Sequence, residues 1–424
     1  MAKYDIDSIR MEFPCLSKTV NGIPAAFLDG PGGTQVPRIV TRHINDYLYY
    51  YNANAHGNFL TSHESDAMVL ETREVYADFF KCKPEEIVFG ASTSDNAFRI
   101  AFALTRTMEA SSEILITDID HEANRSPWRT MADYGMIIKS AKVNKDTCTL
   151  NMDDFESKLN PNLKLVAVNW AANACGTITD VKRCIELVRE KAPDAIAIVD
   201  AVHYAPHKPM DVKDIDADIV FTSSYKYCGP HLGIMYVRKE MGEAIKAVRV
   251  MADDNTQMPY RLEVGTQAME LIWGAKGAMD FIAGIGKDNE ENFSSELTGL
   301  KGRRRRIMAG MLAIDAHEEP IAKKLRTELA AIPGLSVYGP AEGSPRTPTV
   351  SFTIDGIHGS TIGKALGEKG IFVWDGDFYA IEIINHVLDL EEKGGLVRIG
   401  LAPYNTIGEI DRTIEAVKEI ASRR

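Results

Sequence analysis

The chain has 424 residues, of which 45% are hydrophobic and 25% charged, and its formal net charge is −12. That length leaves room for two or three domains and a core that needs no disulfide or metal to hold it. The acidic balance argues against nucleic acid or an anionic membrane surface as the main partner.

Six cysteines (Cys15, Cys82, Cys148, Cys175, Cys184 and Cys228) show neither CxxC nor zinc spacing. This fits a reducing, cytoplasmic compartment. The start of the chain carries no basic-then-apolar leader, and no apolar run approaches the roughly 20 residues needed to cross a bilayer. A soluble protein without a membrane partner is expected.

In chain order, Asp29-Gly30-Pro31-Gly32-Gly33-Thr34 lacks both the Lys of a P-loop and the GxGxxG order, so it reads as a backbone turn, either with no ligand role or close to a ligand. Residues 61–80 follow a helical pattern, with Thr61 and Glu64 spaced for a capping box. Strands are expected at 87–89, 114–117, 137–141, 165–169, 196–200, 219–223 and 234–237. Most are apolar at consecutive positions, as strands covered on both faces should be. Helical patterns between them argue for a mostly parallel α/β sheet. A long helical stretch spans 294–330, and its basic run, Lys301 to Arg306, is expected to be a solvated face. Short strands at 349–354, 371–374 and 397–400 and a last helix from 407 suggest a smaller α+β domain. The expected division is a large domain, 21–295, and a small C-terminal domain, 296–424, onto which residues 1–20 pack.

Ligands of open α/β sheets lie at the carboxyl ends of the strands. Asp200 ends one strand, and an acid there can pair with a cation or simply bond its own loop. Lys226 follows another, in Ser223-Ser224-Tyr225-Lys226-Tyr227-Cys228-Gly229-Pro230. It is either an ordinary surface lysine or, desolvated at such a place, an amine with a lowered pKa that is nucleophilic towards carbonyls. Thr93 and Ser94 open a helix after a strand, a place that serves either as a phosphate cradle or as plain capping. His121, after the strand at 114–117, can stack on a flat ligand. A metal site with Asp118, Asp120 and Glu122 is the rival, but no second His lies at ligand spacing.

Taken together and in this order, these motifs resemble the class V aminotransferase family, nearest to its cysteine desulfurase and selenocysteine lyase branch, from about residue 27 to residue 406. The resemblance implies the aspartate-aminotransferase-like (type I) fold, with a mostly parallel seven-stranded sheet, and pyridoxal 5′-phosphate (PLP) as cofactor. Ser223 to Pro230 is similar to the family's Ser-x-His-Lys-x-x-Gly-Pro, which makes Lys226 the Schiff-base lysine. Val199-Asp200-Ala201-Val202-His203 is similar to Asp-x-Ala-Gln, placing Asp200 on the ring nitrogen and His203 where the family has Gln beside the phenolic oxygen. His121 matches the ring-stacking His, and Asn173 the Asn near the same oxygen. Thr93 and Ser94 match the phosphate pair, with Ser223 as a further donor. Gly265-Thr266 resembles a pair that reaches the partner subunit's phosphate, which implies a homodimer with active sites at its interface. Asn54-Ala55-His56 resembles an active-site access loop, and Arg398 the clamp on the substrate carboxylate.

The chain also departs from that pattern. Desulfurases carry a nucleophilic Cys in the loop that here reads Trp374-Asp375-Gly376-Asp377-Phe378-Tyr379, and no cysteine follows Cys228. Tyr225 replaces the His before the lysine, and an Arg expected near Trp374 is missing. Asp375 and Asp377 hint at a cationic or hydroxylated substrate group, with Asp377 a candidate contact. The expected activity is cleavage of a Cβ–S or Cβ–Se bond in cysteine or a derivative, without a persulfide-carrying Cys. A class V aminotransferase and a non-catalytic PLP-binding scaffold are the alternatives. No metal is expected.

Overall fold

The computed structural model describes residues 4–250 and 256–423. Seven strands form its principal sheet: β1 (Ile87–Gly90), β2 (Glu113–Thr117), β3 (Ile137–Ala141), β4 (Leu163–Asn169), β5 (Ile196–Asp200), β6 (Ile219–Ser223) and β7 (Gly233–Val237). They lie in the order β1-β7-β6-β5-β4-β2-β3. All neighbours are parallel except β7, which runs antiparallel to both β6 and β1. Strands β1, β6 and β7 are buried along their whole length, which accounts for their unbroken apolar sequences. The parallel register sets Asp200 opposite Asn169 on β4 and Phe221 on β6, so three strands end together at one edge.

Helices α1 (Leu60–Phe80), α2 (Thr93–Thr105), α3 (Met269–Lys287) and α4 (Gly302–Ala330) lie around this sheet, and the helix Val181–Lys191 packs into the same core. A second, antiparallel sheet follows, in the order β8 (Leu335–Tyr338), β9 (Thr349–Ile354), β11 (Leu396–Gly400), β10 (Trp374–Gly376). Helix α5 (Ile407–Ala421) packs its apolar side against that sheet. Helix α4 belongs to both cores. Ile307, Met311 and Ile314 pack into the first, and Ile321, Leu325 and Leu329 into the second. Helices α3 and α4 touch backbone to backbone. A methyl group at Gly286 would lie 1.8 Å from the Arg306 carbonyl oxygen, and one at Gly310 would lie 2.1 Å from that of Ile282. Near the N-terminus, the Tyr4 hydroxyl donates to the Pro403 carbonyl (2.9 Å) and Arg10 pairs with Glu409 (2.9 Å). Phe13 enters the principal core, edge-on to Phe281.

Four local expectations are corrected. The Thr61–Glu64 capping box does not form, because α1 starts one residue earlier and has no side-chain cap. Ser62 instead ties down the preceding loop, donating to the Asn54 carbonyl (2.6 Å) and accepting from the Gly57 N–H (2.6 Å). The stretch 294–330 is not one helix, since α4 starts only at Gly302, whose φ is 57°. Its basic run is no solvated face. Arg303 bonds Asp78 (2.6 Å), Arg304 donates to the Phe79 (2.9 Å) and Met210 (3.0 Å) carbonyls, and Arg305 pairs with Glu290 (2.6 Å). The run clamps α4 onto the end of α1 and the segment near residue 210, leaving Arg306 as its most exposed arginine. The strand expected at 371–374 is two: Ile371–Phe372 pairs with Ala26–Phe27, whereas Trp374–Gly376 joins the second sheet.

Candidate active site

A cavity opens where β4, β5 and β6 end. It is lined by Thr93, Ser94, His121, Asn169, Asn173, Asp200, His203, Ser223, Tyr225 and Lys226. Every residue assigned to the cofactor from sequence is therefore gathered here, except Gly265 and Thr266. Those two line a separate cleft with Asn54 and His56, so a single chain does not bring these four to Lys226. His56 lies 3.2 Å from Asp66 there.

Lys226 ends the short turn after β6, and its amine donates to the Pro31 carbonyl in the Gly-rich segment. Burial lowers its pKa to about 7, Arg398 adds to the effect, and Asp200 opposes it. That shift favours the neutral amine, as a nucleophile towards carbonyls requires. Asp200 is fully enclosed, and burial raises its carboxyl to about 6 even though one oxygen accepts the Val202 N–H (2.8 Å).

His121 accepts the Ala123 N–H at Nδ1 (2.9 Å), which assigns the ring proton to Nε2. Burial, with Lys226 and Arg398 nearby, lowers its pKa to about 4, so the ring is neutral. The neighbouring acids are spent on structure: Asp120 accepts from Asn124 (2.7 Å), and Asp118 from Arg125 (3.2 Å). His203 places Nε2 between the Thr349 (3.0 Å) and Thr347 (3.1 Å) hydroxyls, while Nδ1 is buried without a partner. The Asn173 Oδ1 atom is likewise buried and unpartnered.

The start of α2 closes one end of the cavity. Ser92 caps the helix by accepting the Asp95 N–H (3.0 Å), which leaves the first N–H groups without intrahelical partners. The Thr93 hydroxyl donates to the Thr222 carbonyl (2.9 Å) and lies 2.7 Å from the Ser223 hydroxyl. Gly233 permits this approach, since a methyl there would lie 2.3 Å from the Ser92 carbonyl carbon. Unpartnered donors and acceptors, a hydroxyl-lined helix start and a poised amine opposite a buried acid fit PLP.

Arg398, on β11, donates to the Asn173 carbonyl (3.0 Å) and lies 4.0 Å from the Phe378 ring centre. The carboxylate of Asp377 is used inside its own loop, where it accepts the Tyr379 N–H (2.9 Å). Asp375 abuts Gly363 in a neighbouring helix. Cys228 is buried, and burial raises its thiol to about 12. It lines a small pocket with Thr34 and His207 rather than the main cavity. Sequence reasoning missed Asn169, which lies opposite Asp200, and the threonine pair behind His203. The only available signal was that Asn169 and Thr349 stand at ends of strands that were expected.

The Aminotransferase class-V family profile matches residues 26–304 and 306–413. Similar proteins include an aminotransferase-like protein of Gibberella zeae, 28% identical over 99% of both chains. A cysteine desulfurase of Pectobacterium atrosepticum is 27% identical over 98% of both. A probable cysteine desulfurase of Mycobacterium leprae is 30% identical over 99% of this chain and 66% of that protein. Among solved structures, a cysteine desulfurase of Thermococcus onnurineus superposes with a TM-score of 0.84 over the whole of both chains, at 24% identity. One from Escherichia coli gives 0.80 over 99% of this chain and 98% of that one, at 20% identity. These two support the fold, which is the PLP type I architecture. The profile match across nearly the whole length makes the chain a member of the class-V aminotransferase family.

Proposed function

We propose that the protein is a PLP-dependent, cysteine desulfurase-like enzyme that cleaves a Cβ–S or Cβ–Se bond in cysteine or a small cysteine derivative. The observation that carries this reading is the buried Lys226 amine, lowered to about 7, in one cavity with Asp200 and His121. When bound, PLP supplies an aldehyde for amines and an electron-accepting ring.

Lys226 would hold the cofactor and, once released by the substrate amine, move the proton at the substrate's Cα. Asp200 would keep a proton on the ring nitrogen. His121 would cover one face of the ring, with its Nε2 proton turned away from the backbone bond at Nδ1. His203 Nδ1 and Asn173 are the polar atoms for the phenolic oxygen. Thr93, Ser94 and Ser223 would take the phosphate. Arg398 would fork onto the substrate carboxylate. Tyr225 packs against Gly33, a contact that shapes the lysine turn.

The cleft with Gly265, Thr266, Asn54 and His56 supports a homodimer in which each chain completes its partner's site. Exposed aromatics near it, Tyr49, Tyr50 and Phe59, are the surface such a partner would cover. With no cysteine after Cys228, the leaving group must depart without a persulfide on loop 374–379. Sulfinate, thiolate and selenolate groups meet that demand. A cytoplasmic setting fits six free thiols.

The test is direct. Borohydride should fix PLP to Lys226; cysteine sulfinate should yield alanine with sulfite, and selenocysteine or a cysteine S-conjugate should yield pyruvate and ammonia with the released selenide or thiol. Transfer of the amino group to a keto acid without such products would establish an aminotransferase instead. A scaffold would bind PLP and turn over neither way.

A further inference from the structure

The loop between β10 and the following helical turn carries a residue that the reaction has not yet used. Phe378 and Tyr379 are consecutive non-glycine residues with φ of 54° and 57°. A side chain disfavours that region, so surrounding contacts must hold it. The contacts are specific. The Asn173 side-chain amide donates to the Phe378 carbonyl (3.0 Å), the Glu122 N–H donates to that of Tyr379 (2.7 Å), and Asp377 accepts the Tyr379 N–H (2.9 Å). The result sets the Phe378 ring on Arg398, 4.0 Å from the guanidinium carbon. Asn173 appears a second time, because its backbone carbonyl accepts Arg398 Nη1 (3.0 Å). The remaining edge of the fork includes Nε, which is buried and has no partner.

A guanidinium can be fixed from two sides and still be free to bind. An aromatic ring occupies its face, a carbonyl takes one corner, and the other edge keeps unused donors for the two in-plane bonds a carboxylate makes. We infer that Phe378 is a positioning residue for carboxylate recognition: with Asn173, it holds Arg398 flat so that the Nε edge meets the substrate's α-carboxylate. The strained backbone at 378–379 is what turns the ring onto the guanidinium. This rests on the reading of Arg398 as the carboxylate site.

The test titrates PLP-loaded wild type, Phe378→Leu, Phe378→Tyr and Arg398→Gln with L-alanine and with L-alaninamide, which lacks the carboxylate. Binding is followed by the cofactor's absorbance. Losing the ring's contribution should weaken L-alanine roughly tenfold in Phe378→Leu. L-alaninamide should be unchanged, and Phe378→Tyr should stay within about twofold of wild type. A merely structural role would shift both probes alike, and that result overturns the inference. If Arg398→Gln weakens L-alanine while Phe378→Leu does not, the carboxylate site stands and the role of Phe378 falls. If Arg398→Gln binds L-alanine as wild type does, both fall.

Discussion

The amine that makes Lys226 useful should also make it a burden to the folded chain. Its pKa drops from 10.5 to about 7 on burial. Between those values an unfolded chain binds a proton that the folded protein does not, so stability rises with pH. Below about 7 both states bind it and the whole cost is present; above about 10.5 none remains. At about 1.4 kcal/mol per tenfold change in proton affinity, the cost is about 5 kcal/mol at about pH 6 and about 2 kcal/mol at about pH 9. Lys226→Met removes it but also loses the bond to the Pro31 carbonyl, worth about 1 kcal/mol. The cofactor-free variant should therefore be more stable than wild type by about 4 kcal/mol near pH 6 and by about 1 kcal/mol near pH 9. Urea unfolding of both cofactor-free proteins across that range measures the gap. A gap that stays constant with pH, or a variant less stable than wild type near pH 6, would refute the argument.

Gly233→Ala puts a methyl 2.3 Å from the Ser92 carbonyl carbon; the variant should fold, by circular dichroism, but lose its yellow cofactor on gel filtration. Arg304→Ala strips the Phe79 and Met210 carbonyls of their donor, at a cost of about 2–4 kcal/mol in urea unfolding. Arg306→Ala should stay within about 0.5 kcal/mol of wild type. Capture of PLP by the cofactor-free protein, followed by absorbance, should speed up with pH around a midpoint near 7, where Lys226 loses its proton. That midpoint should persist in His121→Phe, because His121 is already neutral above about 4.

The strands and their ends were legible because burial on both faces leaves an unbroken apolar run, and the chemistry stands just beyond it. Asp200, Lys226 and His121 were raised as candidates by that rule and given their roles by the family resemblance, and the structure places them in one cavity. What the pattern hid was set by partners distant in sequence. Nothing local to Arg304 announces that its targets are carbonyls of residues 79 and 210. Gly302 breaks a stretch whose composition still reads as helix. In loop 374–379 attention went to the two acids, yet one serves its own turn and the other lies against Gly363. The phenylalanine that follows them carries the contact with Arg398, a role visible only once β10 and β11 are paired.

Helix α4 has a practical consequence for engineering. Its first turns belong to one core and its last to the other, and its early part is pressed against α3 with no room for a methyl. A chimera that borrows the C-terminal half from a relative should therefore be spliced ahead of Gly302, in the turns after Phe293, and keep the donor's α3 partner surface compatible. A crossover inside the helix would mate two halves selected against different neighbours.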